Sequence, residues 1–145
     1  MNAEQLFSLG NALALACWLV LASSLFVQRL WAAAQWIGKF GLPVLLGSAY
    51  VLIYLAQPDN PGGGFGSIAA VRMLFSSDWI LLIAWLHYLA FDYFVGAWIV
   101  RDSRRVVINR WLVLPCLFFC LVAGPAGLLL YLGIQGGTAL KDART

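Results

Sequence analysis

Charge is what this chain has least of. Six acidic and nine basic side chains among 145 residues make 10% charged, against roughly 25% in an ordinary soluble domain. That deficit excludes a soluble globular protein. The net charge of +3 does not point to a nucleic-acid partner either, because the basic residues flank apolar stretches, where they act as topology signals. Histidine occurs once, as His87, which argues against a histidine-built metal cluster. No His-x-x-x-His or Glu-x-x-His spacing is present. The three cysteines, Cys17, Cys116 and Cys120, include no Cys-x-x-Cys pair. Cys116 and Cys120 lie four apart, on one helical face, and serve best as small polarisable packing residues. The glycine run Gly62 to Gly66 lacks the Gly-Lys-Ser/Thr ending of a phosphate loop. Neither a metal nor a cofactor is expected.

What the chain does have is long hydrophobic runs. It is 63% hydrophobic, with a mean hydropathy of +0.87, seven Trp, nine Phe and five Tyr. This composition predicts a single all-α, polytopic membrane domain over residues 1–145. Its four transmembrane helices fall at about 6–27, 37–56, 79–100 and 111–134. The first run, Leu6 to Val27, is uncharged over 22 residues and can cross a hydrocarbon core of about 30 Å. With Glu4 ahead of it and no basic residue, it fits a retained span better than a signal peptide. Pro43 falls near the start of the second run, and Tyr50 and Tyr54 share one of its faces. The Pro- and Gly-rich stretch Gln57 to Gly66 marks a loop. Ile68 to Phe75, interrupted by Arg72, is a short interfacial segment between the second and third spans. With four spans, the first and third loops share one side, with Arg29, Lys39, Arg101, Arg104, Arg105 and Arg110. The other side holds Arg72, Lys141 and Arg144. The positive-inside rule then places both termini outside the cytoplasm.

The third span carries the chemistry. An ionisable group in hydrocarbon costs about 2.5–3.5 kcal/mol on insertion scales and marks a functional site by default. Here His87 and Asp92 both lie near the middle of the span. At 100° per residue, Asp78, Leu81, Trp85, Tyr88, Asp92 and Gly96 form one narrow stripe, with His87 about 140° around the helix beside Phe91, Phe94 and Trp98. Burial in hydrocarbon favours the neutral, proton-donating form of a carboxyl, which suits a general acid. Structural roles stand beside these: Asp92 tying helices together through Tyr50 or Tyr54, and His87 bonding a backbone carbonyl. Trp85, Tyr88 and Gly96 are candidate substrate contacts on the stripe. Gly124 and Pro125 are candidates in the fourth span, where Gly124-Pro125-Ala-Gly127 frees a carbonyl and permits close approach.

The string Trp85-Leu-His87-Tyr-Leu-Ala-Phe-Asp92-Tyr-Phe-Val-Gly96-Ala-Trp98, a basic loop, and then Gly124-Pro125-Ala-Gly127-Leu-Leu-Leu-Tyr131 resembles the abscisic-acid-deficient-four-like family. This group includes plant neoxanthin synthase. The resemblance covers roughly Gly64 to Gly133. It implies a small four-helix membrane protein that binds a carotenoid or other isoprenoid or acts on it, as a carotenoid isomerase-type enzyme would, by cofactor-free acid–base epoxide opening or isomerisation. On that resemblance Asp92 would be the acid and His87 the base. The alternative is a non-catalytic carotenoid-binding or assembly subunit of a membrane pigment complex. The chain begins almost directly in a span, without a plastid transit peptide, so a bacterial inner membrane is expected. Its partners would be membrane lipid, an isoprenoid, and a second copy or a membrane complex, since so small a bundle has little interior.

Overall fold

Three apolar helices set the frame of the protein in a computed structural model that describes residues 2–56 and 62–142, the last four as backbone. The start of the expected loop, Gln57 to Pro61, and the end of the chain from Ala143 lie outside the described residues. Helix α1 (Ala3–Ser23) opens with a capping box, in which the Asn2 side chain accepts from Gln5 N at 2.9 Å and Gln5 accepts in return from Asn2 N at 3.1 Å. Helix α2 runs from Gln28 to Ala56 and α4 from Asp78 to Arg105. Between them lies the short α3 (Ile68–Leu74), capped by Ser67. Helices α1, α2 and α4 are each long and apolar enough to cross a bilayer. Their outward residues are as apolar as the core: Leu19, Leu52, Leu55 and Phe91 all face outside. That is the pattern of a protein solvated by hydrocarbon.

Helix α4 is the axis, touching α1, α2 and both later helices, α5 (Arg110–Ala123) and α6 (Pro125–Asp142). Small residues let α1 and α2 close on it. A methyl group built on Gly96 would meet the Trp18 ring at 2.5 Å, and one on Gly38 would meet the Ala97 methyl at 2.3 Å. Trp85 donates to Asn11 Oδ1 at 2.8 Å, and Tyr93 to the Cys17 carbonyl at 3.2 Å, so both of these polar tips inside the bundle have a partner. At one end of the bundle, Arg104 stacks on Trp31 at 3.9 Å and donates to Gln28 and to the Ser24 carbonyl. These bonds tie the α1–α2 turn to the end of α4.

The expected fourth span, residues 111–134, is two helices folded back on each other. Gly124, at φ +25, breaks the run, and Pro125 starts α6. Gly127 sits so close to α5 that an added Cβ would meet Cys120 N at 2.3 Å and Cys116 O at 2.4 Å. Cys120 Sγ reaches the Asp92 carbonyl at 3.5 Å, whereas Tyr131 and Gln135, further along α6, reach Asp102. The hairpin thus climbs α4 from its basic end to the level of Asp92 and returns. Ten residues of helix are about 15 Å, half a hydrocarbon core.

Two expectations change as a result. The chain's described ends lie at opposite ends of the bundle, not together, and Gly124-Pro125 is a sharp turn, not a kink. The physical reason is the glycine pair, which allows a reversal in one residue and backbone contact three residues later. The expected loop Arg101 to Arg105 is also helical, extending α4. Gly127→Ala should lower the melting temperature in detergent, costing about 1–3 kcal/mol for overpacking. Gly133→Ala, which meets nothing within 4 Å, should leave it unchanged.

Candidate functional site

The residues expected to form one site divide between two sides of α4. His87 is exposed and faces α2, its ring stacked on Phe91 at 4.5 Å and 6.2 Å from the Tyr50 ring. Asp92, five residues on, faces the α5–α6 turn, where a methyl on Gly124 would meet its Oδ1 at 2.5 Å. The helical offset of about 140° accounts for the separation. No single small group can touch both side chains.

On the His87 side, two apolar grooves meet. One, of about 500 Å³, is lined by Lys39, Gly47, Tyr50, His87, Phe91 and Phe94 among others. The other, of about 390 Å³, continues past Tyr50 and His87 to Tyr54, Phe65, Leu74 and Ile80. Tyr50 and His87 belong to both. Together they follow α4 from Ile80 to Phe94, about 20 Å at 1.5 Å per residue. Imidazole is the one nitrogen base along the groove's middle, with Lys39 at its end.

On the Asp92 side there is close packing. Asp92 Oδ2 is buried and has no hydrogen-bond partner among the described residues. Tyr88, one turn earlier, faces both the Asp92 carboxyl and the Gly124 backbone. The Gly124 carbonyl accepts from Gly127 N at 3.2 Å, so the turn supplies its own partner at membrane depth, as hydrocarbon demands. The other expected contacts serve packing. Trp85 stacks against Tyr88 (5.3 Å) and Phe7 (5.5 Å) in the α1–α4 seam. Gly96 makes room for Trp18, and Gly124 and Pro125 form the hairpin turn. Among the described residues, no group of three or more His, Cys, Asp or Glu side chains could hold a metal ion.

The model of the ABA DEFICIENT 4-like family matches residues 5–131. The chain belongs to this family. No curated protein and no solved structure matches it. Family membership and the three apolar helices agree on a membrane protein.

Sequence reasoning missed Asp102. Its carboxylate, 5% exposed, accepts from the Tyr131 hydroxyl and from Gln135 Nε2, both at 2.7 Å, and pairs with Arg105 at 2.9 Å. Tyr131 is fully buried and edge-on to Trp98 at 5.6 Å. One acid among Arg101, Arg104 and Arg105 was the available signal. Asp102→Ala should destabilise the protein by about 1–3 kcal/mol, because the buried Tyr131 hydroxyl loses its acceptor. Asp92→Asn keeps an oxygen toward Tyr88 and loses no partner at Oδ2, so it should shift thermal unfolding far less. Scans of both variants in one detergent check the contrast.

Proposed function

We propose that this chain is a multi-pass membrane protein that holds an elongated isoprenoid, of carotenoid type, in the groove between α2 and α4. The observation that carries this reading is the pair of apolar grooves meeting at Tyr50 and His87, open on the lipid side of the bundle. A polyene can enter laterally and lie along α4 with His87 at mid-length. Its apolar body is matched by Phe91, Phe94 and Tyr50, whose rings offer dispersion without a hydrogen-bond demand. Family membership supports the isoprenoid class. Protein purified from a carotenoid-producing host should carry pigment, detected by absorbance and chromatography of the extract. Gly47→Phe should empty the groove, since a side chain there has open space, with nothing within 4 Å, and should leave the melting temperature intact. Pigment retained by Gly47→Phe would refute the groove as its seat.

A catalytic reading is favoured by one feature, the buried and unpartnered Asp92 Oδ2. A carboxyl with a free oxygen can give or take a proton. Because His87 faces the opposite side, epoxide opening would use one of these groups alone, as the acid to the epoxide oxygen, with water taking the proton lost from carbon. Turnover of a carotenoid epoxide that survives both Asp92→Asn and His87→Gln would exclude either as acid or base.

For the membrane topology, we propose three spans followed by a re-entrant hairpin. Of the described basic residues, Arg29, Lys39, Arg101, Arg104, Arg105, Arg110 and Lys141 then fall at one end and Arg72 alone at the other. Glu4 and Asp78 line one cleft at the Arg72 end. The basic end faces the cytoplasm of a bacterial inner membrane, with the N-terminus outside. In a background lacking the three native cysteines, Gly137→Cys and Val107→Cys should be labelled by an impermeant maleimide from the same side, and Gly66→Cys from the other. Labelling of Gly137→Cys together with Gly66→Cys would restore four full spans.

A further inference from the structure

The groove ends in a feature that a neutral polyene does not need. Pro43 has no N–H to offer the carbonyl four residues back, which is that of Lys39, and its ring crowds the same position. The helix widens there into a π turn over Ile37–Gly41, closed by the Leu42 N–H on the Ile37 carbonyl. Such turns recur at functional sites. Gly38 lies against Ala97, and Gln35 Nε2 donates to the Ala97 carbonyl at 3.4 Å. This docking brings Lys39 beside Arg101. The two cations flank one small cleft of about 10 Å³ with Gln35, Phe94 and Trp98, so an anion would rest over it at the surface. Lys39 and Phe94 also line the larger groove.

Both cations are exposed, and neither forms an ion pair or a hydrogen bond with another side chain among the described residues. Lys39 Nζ only rests over the Phe40 ring at 4.8 Å. The one acid nearby in sequence, Asp102, is already occupied by Arg105, Tyr131 and Gln135. Two unpaired positive charges therefore stand at the mouth of an apolar slot, at the end of the bundle where the basic residues gather.

We infer that the groove takes an isoprenoid ending in a phosphate monoester, its chain along His87 and its head between Lys39 and Arg101. This rests on the reading of the groove as an isoprenoid seat, and puts a phosphorylated, linear isoprenoid in place of the neutral carotenoid type. A phosphate monoester carries about −1.5 to −2 charges near neutral pH, which matches two cations better than a hydroxyl or a carboxylate would. Arg101 offers the planar fork that grips such oxygens, and Lys39 a point charge.

The test is calorimetric titration of the full chain in phosphatidylcholine nanodiscs with geranylgeranyl phosphate and with geranylgeraniol. The phosphate should bind at least about tenfold tighter, the scale of one charge-assisted hydrogen bond. That preference should vanish in the Lys39→Gln, Arg101→Gln double variant. Equal binding of the two ligands, no binding of the phosphate, or a preference that survives in the double variant overturns the inference. Displacement of the phosphate by phosphatidylglycerol added to the discs overturns it too, assigning the cleft to a lipid headgroup. Gly47→Phe separates the two levels. If it weakens both ligands and no preference exists, the groove stands and the phosphate head is wrong. If the preference holds and Gly47→Phe changes nothing, the cation pair stands and the groove reading fails.

Discussion

The carboxylate of Asp102 decides how the last third of the molecule is arranged. It is buried among α4 and α6, and it accepts from Tyr131 and Gln135 while pairing with Arg105. A charge taken out of water is tolerated only when its lone pairs are met. Here three donors from two helices do so, and the returning helix is fixed to the basic end of α4. At the other limit of the hairpin, Gly124 and Gly127 remove every atom that would keep α5 and α6 apart. Polar clamp and glycine turn together make a reversal at membrane depth stable.

From this reversal follows the position of the remaining polar groups. The turn reaches Asp92 and Tyr88 and fills that side of α4. On the opposite side α2 packs against α4 and leaves a groove open between them. Two mid-span titratable groups that share one helix thus meet different surroundings. Asp92 is in close packing beside a turn, and His87 is beside an apolar channel. The π turn above Pro43 then sets a lysine at the channel's end. In a membrane, where backbone and side-chain polarity cannot be left to solvent, such departures from regular helix give the groove its shape.

Part of the site was legible from periodicity alone. The offset of His87 from Asp92 follows from 100° per residue, and the structure places them on separate sides as that offset requires. The aromatic company of His87, in Phe91 and Phe94, follows from the same arithmetic. Trp85 and Gly96 share Asp92's stripe, yet these two meet α1 while Asp92 meets the α5–α6 turn, and which helix covers which part of a stripe is not written in its spacing. Asp102 went unnoticed because a basic segment after an apolar run resembles a loop, whereas α4 continues through it.

The sequence by itself determined the membrane class, the three long apolar helices and the family, because each depends on composition, run length or a local string. It also determined which residues of α4 share a face. Tertiary structure alone decided that the fourth run doubles back. A Gly-Pro break suits a kink or a reversal equally until the contacts between Gly127, Cys116 and Cys120 are known. That same choice set the end of the bundle to which the last helix returns, and left His87 beside an open groove and Asp92 packed against the Gly124 turn.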